Sequence, residues 1–200
     1  NSTAIGYYTL GSQNADGNRY NLAIGHSAGN AITSGIQNHL IGGLVGQALT
    51  IGNSNVAMGM QALSTCVEGD HNTAIGTYAL QDYNDGDGTG HNTAIGSKSQ
   101  LNATTGEYNT SLGSLSMGSG VLTGDANIAI GYYAGHAMTT AFYNTIIGYQ
   151  AGDSLTIGNQ NVAIGYEALS LSVDGDHNVA VGYAALQDYE DGDGNGFNTA

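Results

Sequence analysis

A five-residue motif that recurs along the whole chain is the strongest constraint on its fold. Asn72-Thr73-Ala74-Ile75-Gly76 is one copy, and Asn161-Val162-Ala163-Ile164-Gly165 is another. The glycines that close successive copies lie 17 to 20 residues apart, at Gly6, Gly25, Gly42, Gly59, Gly76, Gly96, Gly113, Gly131, Gly148, Gly165 and Gly182. A fixed short period predicts a repeat architecture in which each unit stacks on its neighbours.

We number the repeats as coils 1–11 and take each closing glycine as position 0. The segment from −4 to −1 is too short for a helix and rich in β-branched residues, so it predicts a short strand. A second short strand is expected from +1 to +4, and the Gly-, Asn-, Asp- and Ser-rich remainder predicts a returning loop. The sequence therefore predicts an all-β protein, a β-solenoid of coils of about 17 residues, with residues 1–200 as one repeat array.

The individual positions predict where side chains point. Position −1 is always aliphatic, which predicts a packed interior, whereas the frequent alanine at −2 predicts a surface that another element approaches closely. The glycine at position 0 predicts a corner with a positive φ. Stacked amides can bond to one another along a stack, so we expect an asparagine ladder at position −4, formed by Asn21, Asn38, Asn55, Asn72, Asn92, Asn109, Asn127, Asn144, Asn161 and Asn178.

A longer period lies over the shorter one. Coils 2–5 match coils 8–11 at a distance of 106 residues, and residues 67–94 agree with residues 173–200 at 20 of 28 positions. Six coils therefore form one super-unit, and the chain holds nearly two. Because solenoids generally need polar capping repeats, and neither end looks atypical, we expect the chain to belong to a longer array or to stack end to end with copies of itself.

Composition limits the partners. The chain has two basic residues and 16 acidic ones, which argues against nucleic acid and anionic membrane surfaces, because both require basic patches. No apolar run approaches the ~20 residues of a membrane-spanning helix, and no signal peptide is evident. The single cysteine, Cys66, is expected to be a small, partly buried apolar side chain.

Two acidic loops are the candidate metal sites. Oxygen ligands on a flexible, glycine-rich loop suit Ca²⁺, although the spacing is not that of an EF-hand. The candidate ligands are Asp82, Asn84, Asp85 and Asp87 in the first loop, and Asp188, Glu190, Asp191 and Asp193 in the second. The turns 68–70 and 174–176 offer further ligands. The alternative is a solvated acidic loop that discourages aggregation.

Aromatic residues recur at two positions. His71, His91 and His177 occupy position −5, where tyrosine and phenylalanine substitute for them, so packing is favoured over metal binding. Tyr7, Tyr132, Tyr149, Tyr166 and Tyr183 occupy position +1 and are expected to stack on the surface, with a sugar-binding platform as the alternative. Asn1, Asn102 and Asn109 begin Asn-x-Ser/Thr sequences that would allow glycan attachment in a suitable secretory context.

The Asn-x-Ala-Ile-Gly-x-x-Ala pattern resembles the head repeats of trimeric autotransporter adhesins, and it is similar to repeats of phage tail fibres and bacterial surface fibres. The resemblance covers all eleven coils. It implies a left-handed β-roll with two strands per coil, three chains around an axis, and interchain contacts by the small residues at −2 and +3. The coil of about 17 residues is longer than the adhesin repeat.

These features predict a structural shaft segment of an extracellular fibre at a cell or virion surface, with no required cofactor. Copies of the chain are the expected partners, as a homotrimer or an end-to-end filament. The alternative is an adhesive segment that recognises a glycan receptor. An enzyme such as a polysaccharide lyase is not favoured, because no catalytic constellation emerges and only Arg19 and Lys98 supply positive charge.

Overall fold

The computed structural model describes residues 1–14, 17–84, 86, 89–189 and 196–200. Within these residues it contains eleven three-residue strands and no helix. The strands are β1 (Thr3–Ile5), β2 (Leu22–Ile24), β3 (His39–Ile41), β4 (Val56–Met58), β5 (Thr73–Ile75), β6 (Thr93–Ile95), β7 (Thr110–Leu112), β8 (Ile128–Ile130), β9 (Thr145–Ile147), β10 (Val162–Ile164) and β11 (Val179–Val181). The predicted β-solenoid is confirmed.

The strands form one parallel sheet in chain order, β1 to β11. Equivalent residues of successive coils pair with one another, so that Ala74 lies beside Ala94 and Ile75 beside Ile95. This register holds even where the coil is lengthened, because the extra residues of coil 6 lie in the returning loop and leave the strand unchanged. Every added coil therefore extends the sheet by one strand spacing, roughly 4.8 Å.

Each coil contains one strand, and the predicted second strand at +1 to +4 is wrong. These residues form turns, in which positions +2 and +4 both have positive φ, as at Tyr78 (60°) and Leu80 (50°). A strand requires negative φ at every residue. The main chain still bonds between coils here, since the amides of Tyr78 and Leu80 donate to the coils before and after.

The glycine at position 0 has the predicted positive φ, between 129° and 147° in all eleven coils. Glycine is required for a second reason, which is close stacking of the corners. A Cβ added to Gly59 would lie 2.6 Å from the carbonyl oxygen of Gly76 in the next coil. Only a residue without a side chain allows the corners to approach this closely.

The predicted direction of the strand side chains is reversed in the structure. Position −2 faces the interior, where Ala74, Ala94 and Ala163 are completely buried. Position −1 faces outward, and Met58, Leu112 and Ile164 keep 42%, 46% and 37% of their surface exposed. The coil is narrow, so only a small side chain fits at position −2. The element that approaches these alanines closely is the opposite wall of the same coil.

The small residues at +3 are also interior. Ala62, Ala79 and Ala134 are fully buried, so the expectation that positions −2 and +3 make interchain contacts is wrong for this chain. Cys66 is fully buried as well, more completely than expected. A larger side chain at one interior position is matched by a smaller residue at another. Ile146 at −2, for example, lies against Gly152 at +4.

The asparagines at position −4 form a continuous hydrogen-bonded ladder inside the coils. Asn55 is typical: its Oδ1 accepts the amide proton of Asn72 at 2.9 Å, and its Nδ2 donates to the Gly69 carbonyl at 2.8 Å and to the Asn38 Oδ1 at 3.0 Å. Equivalent bonds recur along the chain, and these asparagines are at most 2% exposed. The ladder satisfies main-chain groups that the narrow interior shields from water.

Candidate functional site

The outward side of the sheet is the most distinctive surface of the chain. We call the side chains at −3 and −1 of all coils the outer strand face. Position −1 is aliphatic throughout, and position −3 contains only threonine, valine, leucine, isoleucine and His39. An exposed apolar patch as long as the molecule is unusual for a monomeric protein, because such patches generally mark interaction sites.

This face carries no charged side chain although the chain has a formal net charge of −14. All 16 acidic residues and both basic residues lie outside positions −5 to +1 of every coil. Asp70, Glu107, Asp125 and Asp176, for example, all occupy position −6. The charge is therefore confined to the turns and the returning loop, and the strand side of the solenoid is neutral.

Two columns of aromatic rings flank the outer strand face. At position −5 the rings of His71, His91 and Tyr108 stack at centroid distances of 4.7 and 5.3 Å, with 7° between neighbouring planes. His177 and Phe197 stack at 4.6 Å in the same position. The predicted packing of these rings is confirmed, and because phenylalanine takes a place in the column, ring stacking is sufficient to explain the position.

The tyrosines at position +1 form the second column. Tyr132, Tyr149, Tyr166 and Tyr183 stack along four consecutive coils, with centroids 5.5, 5.3 and 5.2 Å apart. They are 42% to 79% exposed, so the predicted surface stacking is confirmed. We call this group the tyrosine ladder. Each inner ring has a neighbour stacked on either side, which leaves less ring face for a sugar than an isolated tyrosine would offer.

Two rings of the tyrosine ladder, Tyr132 and Tyr166, hold their protons more tightly than an ordinary tyrosine does. The pKa of Tyr132 is raised above the ordinary value of 10.0, first by partial desolvation and then by Tyr133. The pKa of Tyr166 is raised first by hydrogen bonding to Glu167, and then by desolvation. Both phenol groups are therefore uncharged at physiological pH.

A cleft of about 170 Å³ lies beside the tyrosine ladder. It is lined by Gln150, Asp153, Glu167, Ser170, Leu171 and Gln187. Gln187 donates a hydrogen bond to Glu167 at 2.7 Å. Burial raises the pKa of Asp153, while His136 and hydrogen bonding from Gln150 lower it in part. The cleft presents mainly hydrogen-bond acceptors, and it is open to solvent.

Both the tyrosine ladder and the acidic cleft distinguish the second super-unit from the first. At the positions 106 residues earlier, the four tyrosines are replaced by His26, Gly43, Met60 and Thr77. Asp153 and Glu167 correspond to glutamines, Gln47 and Gln61. Sequence reasoning missed the cleft and the neutral face, although alignment of the super-units and a count of charges by position would have indicated both.

The acidic loops are only partly covered by the structure. Asp85, Asp87, Glu190, Asp191 and Asp193 lie outside the described residues, whereas Asp82, Asn84 and Asp188 are exposed. Within the described ranges, no three His, Cys, Asp or Glu side chains form a group that would hold a metal ion. Calcium binding by these loops stays a prediction.

The acidic turns have a structural use. The Oδ1 of Asp70 accepts the amide proton of Asn53 at 2.6 Å, and the Oδ1 of Asp176 accepts that of Asn159 at 2.5 Å. Each carboxylate therefore bonds to the coil before it. These bonds stabilise the stacking of coils whether or not a metal ion binds.

The three possible glycan attachment sites differ in accessibility. Asn1 is exposed, and Asn102 is half-buried and donates to the Ser119 carbonyl at 3.0 Å. Asn109 is fully buried in the asparagine ladder, where its Nδ2 donates to the Gly124 carbonyl at 2.8 Å. Its amide is therefore out of reach of a glycosyltransferase once the chain has folded.

Comparison with known proteins assigns the chain to no established group. No protein-family model matches the sequence, and no curated protein is significantly similar to it. In the described part of the chain, no helix has the length and apolarity needed to cross a bilayer.

Proposed function

We propose that this chain is a shaft segment of an extracellular fibre at a cell or virion surface, and that its role is mechanical. The observation that carries the proposal is the continuity of the bonding between coils. Eleven strands form one parallel sheet in chain order, and the asparagine ladder runs beside it through the interior. The proposal assigns the chain no catalytic role and no required cofactor.

The geometry of the coil favours a spacer. Ten coil intervals at roughly 4.8 Å each give a rod of about 48 Å, and each coil contacts only its neighbours, so length increases with coil number. Variation in coil length falls in the returning loop, which leaves the sheet uninterrupted. A fibre built in this way can gain length by duplication, as the 106-residue super-unit indicates.

Removal of one whole coil tests this proposal. Deletion of residues 149–165 removes 17 residues and joins equivalent positions, so we expect a folded rod shorter by roughly 4.8 Å. A control that deletes residues 149–157 leaves Gly148 and Gly165 only eight residues apart, which is shorter than any coil of the chain, so that coil 10 cannot close. Small-angle scattering and circular dichroism should show a shorter folded rod for the first and a loss of structure for the second. Equal tolerance of both deletions would refute the proposal.

A second candidate function is adhesion through recognition of a glycan receptor. The exposed tyrosine ladder beside the acceptor-rich cleft supports it, because sugar hydroxyls donate hydrogen bonds and tyrosine offers apolar surface. A glycan array is the direct test. Binding that is lost when Asp153 and Glu167 are replaced by glutamine, as in the first super-unit, would favour adhesion, and an array without signal would leave the shaft as the sole candidate.

A further inference from the structure

We propose that the outer strand face, together with the tyrosine ladder, is an interface with a second copy of this chain. The inference concerns lateral assembly, and it does not depend on the shaft proposal, since a compact adhesive segment could associate by the same surface. It assigns the interface to positions −3, −1 and +1, instead of the buried positions −2 and +3 that the family resemblance implies.

The extent of the surface is sufficient for a specific interface. A face about 48 Å long and about 13 Å wide, the span from −3 to +1, has an area of roughly 600 Å². Two such faces would bury about 1,200 Å², which is the lower limit for stable, specific complexes. Ile164, Val181 and Tyr166 remain 37%, 56% and 42% exposed in the isolated chain.

The charge distribution favours a copy of the chain over other partners. Two chains that each carry a net charge of −14 repel one another unless they meet where neither is charged. Positions −5 to +1 supply that surface in all eleven coils. A basic partner would be attracted to the returning loops instead, and an anionic membrane would be repelled by the chain as a whole.

The spacing of the side chains gives a second argument for a copy. The rows of side chains on this face repeat with the strand spacing, roughly 4.8 Å. A partner must have the same spacing if its rows are to lie between these rows along the full length of the face. A second solenoid of this sequence meets that requirement, and two sheets packed face to face bury their side chains in the manner of a β-sandwich.

A pair of substitutions within one coil tests the proposal. Ile164 lies on the outer strand face, whereas Ile157 is 49% exposed at position −8 of the same coil. Sedimentation equilibrium over a range of concentrations should give a mass above 20.3 kDa for the natural chain. We expect Ile164→Glu to weaken this association at least about tenfold, because it places a charge in an apolar interface, and Ile157→Glu to leave it unchanged.

A second variant guards against a folding defect. Tyr166→Ser introduces the residue type that coil 6 carries at the same position, Ser97, and it should weaken association without lowering the melting temperature markedly. A natural chain that stays at 20.3 kDa at every concentration would overturn the proposal. Equal effects of Ile164→Glu and Ile157→Glu on the association would also overturn it. The same holds if the particles are one chain wide, assemble end to end, and are not changed by any of these variants. None of these results would lengthen or shorten the single rod, so the shaft proposal is tested separately.

Discussion

The asparagine ladder makes a sharp prediction, because two neighbouring members differ in the bonds that they form. Asn55 donates through its Nδ2 to Gly69 and to Asn38, and its Oδ1 accepts from Asn72. The Oδ1 of Asn72 accepts the amide proton of Asn92 at 3.1 Å, but its buried Nδ2 has no acceptor among the residues that the structure describes. The next coil contains the insertion 81–90, and the main chain at Gly90 lies against the Asn72 amide, since a Cβ added to Gly90 would lie 2.7 Å from the Asn72 Nδ2.

Replacement of each residue by alanine should therefore have different effects. Asn55→Ala leaves two buried main-chain groups without their partners, the Asn72 amide and the Gly69 carbonyl, and each such group destabilises by about 1–3 kcal/mol. We expect a loss of about 2–6 kcal/mol in the free energy of unfolding. Asn72→Ala leaves only one group, the Asn92 amide, and it removes an unpaired buried NH₂ that is itself unfavourable by a similar amount. The net effect of the second change on hydrogen bonding should be near zero, which leaves only the cavity contribution that both variants share.

Urea unfolding followed by circular dichroism measures both values, and unchanged m-values would show that the cooperativity of the array is preserved. The same side-chain volume is removed in both variants, so the cavity contribution cancels in the comparison. Hydrogen exchange should show faster exchange at the Asn72 amide in Asn55→Ala. If the two variants lose equal stability, the ladder does not stabilise by satisfying main-chain groups, and the reasoning above is refuted.

Three further predictions follow from single features of the structure. Gly59 has a φ of 129°, and its added Cβ would lie 2.6 Å from a carbonyl oxygen, so Gly59→Ala should lower the free energy of unfolding by at least about 2 kcal/mol. Gly43→Ala, with no atom within 4 Å of its added Cβ, should change it by less than about 0.5 kcal/mol. Equal effects of the two substitutions in urea unfolding would contradict the explanation of the glycine corner. Because folded Asp153 holds its proton more tightly than an unfolded carboxyl, it favours folding at acid pH and disfavours it as the pH rises above the ordinary value of 3.8. Asp153→Asn should therefore raise the melting temperature at pH 7, and the variant should lose less of its melting temperature than the natural chain as the pH rises from acid to neutral. An unchanged pH profile of the melting temperature would show that burial does not affect this carboxyl. If the acidic loops bind Ca²⁺, a chelator should lower the melting temperature of the natural chain, and variants with Asn at the loop aspartates should not respond; an unchanged transition in the natural chain would remove the ion.

The sequence alone determined the period, the strand in each coil and the glycine corner. These features follow from local chemistry. The β-branched residues indicate a strand of three residues, and the glycine that follows it marks a corner where no side chain fits. The asparagine at −4 was recognisable for the same reason, because a polar residue repeated at a strand position needs a partner that only the neighbouring coil supplies. The register of the sheet follows directly from the spacing of the glycines.

Only the tertiary structure decided which side of the strand is the interior. Alternation along a strand shows that positions −1 and −3 share one face and −2 and −4 the other, but it does not show toward which face the coil closes. The path of the turn decides this. It depends on residues with positive φ, such as Tyr78 and Leu80, and the residue types at these positions do not predict that conformation. Closure toward −2 places alanine and asparagine inside a narrow coil and leaves the aliphatic row outside. The molecule therefore has a neutral apolar surface, which its acidic composition does not predict.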